Sequence, residues 1–489
     1  MLVALALSGC AVGPNFREPA PPAVDRFTPA ALPAATVSAA TPGGDAQRFL
    51  EGRNVPERWW TTFDNAELDR RVEAAFAHSP TIASAQAALR QAQENARAAG
   101  GSLFPSLDAS AGANRGNAIG TQGTGSVAGA PGSRPFTIYN AGVSVGYVFD
   151  LFGGVRRGIE AQQAQDDYQR AQLDATYLTL AANVVTASLQ EASLREQVHA
   201  TEQIVGSLRK ELDIAEKQQA IGAKSLTDTL AVRTQLATAS VALPSLRQQL
   251  AATQNQLATY LGVTPAQLDL KPVTLAGVTL PTDIPVSLPS TMVAQRPDIR
   301  AAAAQLHAAT AGVGVATANL LPQITLSGTA GSAALKSGDL FSAGAGAWSV
   351  GLNLLQPLFH GGELVHKKRA AEAGMDQALA NWQQVVLTAF QNVADSLQAL
   401  EYGAESLRAL GSAEHDASKL LSLTRSQYRV GAVGYLNLLS AEQSYQQARI
   451  ALIQARAARL ADTAALYAAL GGGWQDGAQV SEANHTPKH

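Results

Sequence analysis

The sequence predicts a mainly α-helical protein that also carries membrane-length β-strands, built as two copies of one unit. Three observations predict this: an ordered internal repeat, a pair of alternating runs about ten residues long in each copy, and a proline-free helical stretch of some 65 residues after each pair. The composition sets limits first. Hydrophobic residues make up 46% and charged residues 15%, well below the roughly one-quarter share usual for soluble domains. Lys+Arg 36 against Asp+Glu 39 leaves a net charge of −3, too little positive charge for a nucleic-acid binder. One Cys excludes intrachain disulfides and leaves Cys-based zinc sites without ligands. No apolar run reaches about 18 residues, which excludes a transmembrane helix but leaves a β-barrel open.

The chain starts with the apolar run Met1–Gly9 and then Cys10, the single cysteine. This resembles a bacterial lipobox, without the basic segment that normally precedes the apolar run. The resemblance implies a signal peptide over 1–9, cleavage before Cys10, and covalent lipid there (diacylglyceryl and N-acyl, such as palmitate). Ala11 is not the Asp that usually retains lipoproteins in the inner membrane, so sorting to the outer membrane is implied. Seven prolines between Pro14 and Pro42 make 10–55 an anchor and extended linker.

The repeat is an ordered series of matches. Pro80-Thr81-Ile82 returns as Pro297-Asp298-Ile299, and Leu103-Phe104-Pro105 as Leu320-Leu321-Pro322. Further on, Leu151-Phe152-Gly153-Gly154 returns as Leu358-Phe359-His360-Gly361-Gly362, and Ile221-Gly222-Ala223 as Val430-Gly431-Ala432. The copies lie near 66–262 and 289–471, the first counted from 56 when its tryptophan-rich opening is included. A proline-rich connector covers 263–288, and 472–489 is a tail.

Each copy opens with an Ala/Gln/Leu-rich helical stretch, about 66–102 and 289–320. After Pro105 and Pro322 the period changes to two. Strands are expected at about 104–115 and 136–149, and again at about 322–331 and 347–356. Trp348, Val350, Leu352 and Leu354, for example, alternate with Ser349, Gly351 and Asn353. That length crosses a bilayer when tilted, apolar side out. Gly/Ser-rich loops join the strands at roughly 116–134 and 331–346. The long helices that follow would each span about 100 Å at 1.5 Å per residue. They turn at Gly222 and Gly431 into return helices about half as long, over 226–261 and 435–470. Adding the opening helix end to end restores the length, so a long helix should pair with two stacked shorter ones. Pro244 should kink the first return helix or mark an irregular segment. Four strands cannot close a barrel, and lipid does not tolerate open edges, so the chain must oligomerise.

These residues resemble the outer membrane factors, the TolC-like outer membrane channels, and within them the OprM- and NodT-type lipoprotein branch. The match is carried by Cys10–Phe16, by Trp59–Leu68, by Arg296-Pro297-Asp298-Ile299-Arg300 and by Leu321-Pro322-Gln323-Ile324. At the tip, Ile221–Leu230 fits an apolar-G-x-x-S-x-x-D-x-L pattern. The resemblance implies a homotrimer in which a twelve-stranded outer-membrane β-barrel stands on a periplasmic α-helical barrel. It implies the exit duct of a tripartite efflux pump in a Gram-negative bacterium, working with a periplasmic adaptor and an inner-membrane transporter of the RND type. Such a duct is not an enzyme and needs no cofactor or metal; its substrates are drugs or other small molecules. An export duct of a type I protein secretion system and a structural envelope lipoprotein are the alternatives.

The resemblance also singles out the hairpin tips. Gate candidates are Tyr428, Tyr435, Leu436, Asn437, Leu439, Ser440 and Asp228; adaptor-contact candidates are Gly222, Ser225, Leu230, Gly431 and Gly434. The second copy has Gly434 where the first has Ser225, and Asn437 where it has Asp228. Many relatives carry carboxylates at the positions of Asn437 and Ser440, forming acidic rings; here both are neutral, and Val433 stands where some have an arginine. Closure is therefore expected to rely on Leu436 and Leu439, with Tyr428 hydrogen-bonding a neighbouring helix.

Overall fold

The computed structural model describes residues 11–116 and 135–472. The expected signal peptide 1–9, the expected lipidation site Cys10, nearly all of the expected 116–134 loop and all but the first residue of the expected 472–489 tail lie outside the described residues. In chain order the elements are β1 (Arg48–Glu51), α1 (Ala66–His78), α2 (Pro80–Gly101), β2 (Ser106–Gly116), β3 (Phe136–Phe149), α3 (Gly154–Ala220) and α4 (Leu226–Tyr260). The second half holds β4 (Asp283–Val286), α5 (Pro289–Gln295), α6 (Pro297–Ala318), β5 (Gln323–Ala334), β6 (Gly346–Leu355), α7 (Glu363–Arg429) and α8 (Tyr435–Ala469). Helices α3 and α7 have 67 residues each, and the return helices α4 and α8 have 35 each.

The chain forms two compact units. One gathers the described residues within 1–18, 90–168 and 302–382. Its centre is an antiparallel sheet in the order β2-β3-β5-β6, so the strand pairs of the two repeats are joined through β3 and β5. Tyr147 lies opposite Leu326, and Leu326 opposite Leu352. The apolar side chains Leu107, Trp348, Val350 and Leu352 are each about two-thirds or more exposed, which is unfavourable against water and favourable against hydrocarbon. Ala11–Phe16 belongs to the same unit. The Val12 amide donates to the Phe152 carbonyl at 3.0 Å, and Phe16 stacks on His307 at 4.4 Å.

The other unit gathers the described residues within 19–89, 169–301 and 383–489. Its core is built around Trp59, Trp60, Phe63 and Tyr467, all buried. Trp59 and Tyr467 rings lie 5.8 Å apart, so the tryptophan-rich opening of the first repeat packs on the last turns of the second. Asn65 caps α1 by accepting from the Leu68 amide at 2.9 Å.

Four expectations change. Each opening helical stretch is two helices, broken at Ser79 and at Arg296, both extended with ψ of 123° and 126°. A proline follows each, and its ring excludes the helical conformation from the residue before it. The linker before residue 55 is packed, since β1 pairs in parallel with β4 and Thr36 and Gln47 are buried. β5 runs on to Ala334, beyond the expected end at 331. Finally, α4 passes through Pro244 without interruption; neighbouring helical bonds hold it while one intrahelical donor is missing.

Candidate functional site: the hairpin tips

Both hairpins turn by the same device. In the first, the Gly222 amide donates to Gln219 O (2.9 Å) and the Ala223 amide to Gln218 O (2.8 Å). In the second, Gly431 donates to Tyr428 O (3.0 Å) and Ala432 to Gln427 O (2.9 Å). This is a Schellman ending, which needs a left-handed residue; both glycines have φ of +75°. A side chain at either position would meet no neighbour, so backbone conformation alone selects glycine.

The restart differs between copies. Ser225 caps α4 by accepting from the Asp228 amide (3.1 Å), and its hydroxyl donates to the Asp228 carboxylate (2.8 Å). Gly434 occupies the same position on α8 and supplies no side-chain cap. The second tip thus lacks a contribution of about 1 kcal/mol that the first has. Asp228 is committed to this cap. Leu230 is exposed.

The expected gate residues divide into two sets. Leu436, Asn437 and Ser440 are exposed on one face of α8, and Leu439 is half-buried beside them. Tyr435 is buried against Ala215, Val232 and Leu438, so it packs the hairpins together and does not share that exposed face. Tyr428 bonds the turn of the first hairpin where a neighbouring helix was expected, through a residue that sequence reasoning passed over. Lys224 donates to the Tyr428 hydroxyl at 3.2 Å and lies 4.1 Å from the centre of the Tyr435 ring. The two tyrosine rings meet edge to face at 5.7 Å. One ammonium from the first tip therefore holds two aromatics of the second.

Cross-hairpin ion pairs follow the repeat. Arg233 bonds Glu216 at 2.6 Å, and Arg425 bonds Glu442 at 2.8 Å. Both pairs join positions six residues before and eleven after the tip glycine, but the signs are exchanged between copies. The exchange places Glu442 on α8, where it meets Glu211 of α3. Burial, then the hydrogen bond and charge of Glu442, push the Glu211 carboxyl up to about 8, against the pull of Arg425 and Lys224. Burial first, and these carboxylates next, raise Tyr435 as well. Aligning the copies at the tip glycines would have exposed the sign exchange in the sequence; the approach of Glu211 needed the fold. Among the described residues, no group of three or more His, Cys, Asp or Glu side chains could hold a metal ion.

This architecture has known counterparts. A solved structure of the outer-membrane channel OprN matches with a TM-score of 0.82 at 28% identity, covering 96% of this chain and 100% of that one. The pyoverdine export outer membrane protein OpmQ of Pseudomonas putida is 32% identical over 443 residues, 90% of this chain and 93% of its own length. The toluene efflux pump outer membrane protein TtgC of Pseudomonas putida is 28% identical over 500 residues, 100% of this chain and 98% of its own length. The family model described as outer membrane efflux protein matches residues 72–263 and 288–472. Those two stretches are the two repeats, each with its strand pair and its helical hairpin, and the chain belongs to the outer membrane efflux protein family.

Proposed function

We propose that the chain is one subunit of a homotrimeric exit duct in the outer membrane of a Gram-negative bacterium. The observation that carries this reading is the four-stranded sheet, whose outer strands β2 and β6 each keep one unpaired edge among the described residues. Its apolar side chains face outward, and lipid leaves such edges no partner except another strand. Three copies supply twelve strands, with β6 of one copy beside β2 of the next, antiparallel throughout.

The duct carries out no chemical step. A periplasmic adaptor joins it to an inner-membrane transporter of the RND type, which supplies the energy, and solutes pass through water. Relatives named for pyoverdine export and toluene efflux support small molecules as cargo. The tips form the periplasmic aperture, with Leu436 and Leu439 narrowing it, and the surfaces around Gly222, Ser225, Leu230, Gly431 and Gly434 receive the adaptor. Cys10 carries the lipid; the hold on Ala11–Phe16 by Phe152 and His307 gives that anchor a fixed point of attachment.

Deleting the gene tests the reading. Increased sensitivity to dyes, detergents or antibiotics, restored by the intact gene, is expected. Unchanged sensitivity together with failure to secrete a protein substrate would instead support the protein-export alternative.

A further inference from the structure

Near the tips, Glu211 of α3, Arg425 of α7 and Glu442 of α8 converge beside the apolar cluster of Ala215, Leu421, Leu438 and Ala441. Arg425 lies 2.8 Å from Glu442 Oε1 and 3.8 Å from Glu211 Oε1, so one guanidinium serves two carboxyl groups. The second oxygen of each, Oε2, is buried and receives no donor from the chain. A buried carboxylate oxygen without a donor is costly, and two carboxylates in contact cannot both keep their charge with one cation between them. A single proton resolves both problems, because it removes one charge and supplies the missing O–H.

We propose that Glu211 and Glu442 bind one proton between them, and that its release loosens the packing of α3, α7 and α8 next to the hairpin tips. The pair titrates as a unit, so the proton belongs to neither residue alone. Every packed element contributes: Lys224 and Arg425 favour the charged form, whereas Tyr435, which has Tyr428 and Asp228 in its own surroundings, faces the pair without adding positive charge. Burial prevails, and Glu211 is raised from 4.5 to about 8. A carboxyl raised in the packed state binds protons more tightly there than in the opened state. Packing is therefore firmest at low pH, weakens as pH rises from the ordinary carboxyl range, and reaches its full loss once pH passes about 8. The consequence for transport, a tip that separates more readily in alkaline surroundings, rests on the duct reading; the proton pair does not.

Hydrogen exchange on the purified full-length protein tests this, read over residues 208–215 and 435–445. After correction for intrinsic amide rates, native protection should fall by about tenfold or more from about pH 6 to about pH 9. Glu211→Gln carries permanent N–H donors and should hold its protection within about twofold over that range, as should Glu442→Gln. Native protection that stays level, or a fall of equal size in both variants, overturns the proposal. Infrared titration detects the same proton: a buried protonated-carboxyl band that vanishes near pH 8 must be present in the native protein and absent from Glu211→Gln, because Asp174 and Asp462 are raised by burial as well. A native spectrum with no band that the variant loses overturns the proposal equally. Exchange and infrared bands report packing and protonation with no transport involved, so a protein that conducts nothing would undo the duct reading and leave this result standing.

Discussion

Arg71 on α1 donates to Glu191 on α3 across 2.8 Å, and neither side chain touches solvent. Ser188, the Lys271 carbonyl and Glu67 accept further donors of the guanidinium, while Arg195 and Gln254 donate to Glu191. Burial alone would push the Glu191 carboxyl up. The Arg71 charge and the hydrogen bonds from Arg195, Arg71 and Gln254 outweigh it and hold the group below its ordinary range.

Arg71→Met should therefore cost about 1–3 kcal/mol, since it leaves the buried Oε2 of Glu191 without a donor while Arg195 and Gln254 still hold Oε1. Adding Glu191→Met should recover a large part, because the pair's desolvation disappears with it. Thermal unfolding of both variants in detergent checks the order; a double variant less stable than the single one would be the wrong sign. The pH dependence follows from the direction of the shift. A carboxyl held down in the folded state contributes stability above its unfolded value, and that stability is lost as pH falls through the lower, folded value.

Lys224 gives a second prediction. It reaches Tyr428 by a hydrogen bond and Tyr435 through its ring, so Lys224→Met removes two ties between hairpin tips at once. Together they are worth on the order of 1–2 kcal/mol, which corresponds to roughly a five- to thirtyfold change in a closed-to-open ratio. Planar-bilayer recordings should show a higher open fraction in the variant. Tyr428→Phe removes only the hydrogen bond and should fall between the two.

The repeat and the helix lengths were legible because they depend on period and count. Thirty-five residues against sixty-seven is visible in the positions of Gly222, Gly262, Gly362 and Gly431. What could not be read were contacts between distant segments. Gln47 donates to Thr463 across the chain, and β1 finds its partner 235 positions away in β4. A short polar stretch has no period that names its partner, so 10–55 read as linker. At the tip, the places of Tyr428, Leu436 and Leu439 at the hairpin ends were legible, but burial of Tyr435 and the contacts of Lys224 depend on how two hairpins meet.

Leu436 and Leu439 test the proposed aperture directly. Leu436 is 67% exposed although it lies beside the apolar tip cluster, an arrangement that disfavours an isolated subunit and suits a ring of like residues around an axis. Leu436→Ser with Leu439→Ser should increase single-channel conductance and leave the amount of assembled protein unchanged. Conductance identical to that of the native channel would place the constriction elsewhere.

Arg459 locks residues 36–47 to α8 with no counter-ion in contact among the described residues. Its guanidinium donates to Thr36 Oγ1 at 3.1 Å, to the Asp45 carbonyl at 2.6 Å and to the Gly43 carbonyl at 3.4 Å, and the side chain is almost entirely buried. Burial lowers its proton affinity, opposed by the charge of Asp45, but a guanidinium keeps its proton throughout the physiological range. Gln47 closes the arrangement by donating to the Pro281 carbonyl at 2.9 Å and to Thr463 at 3.0 Å. A planar fork matches several fixed acceptors, and an ammonium does not. Arg459→Lys should thus lose most of the hold, and Arg459→Met all of it, leaving backbone carbonyls without donors at about 1–3 kcal/mol each. The expected readout is faster proteolytic cleavage within residues 36–47, while cleavage at the hairpin tips stays at the native rate. Equal rates in native protein and both variants would mean that β1 pairing with β4 holds the segment by itself.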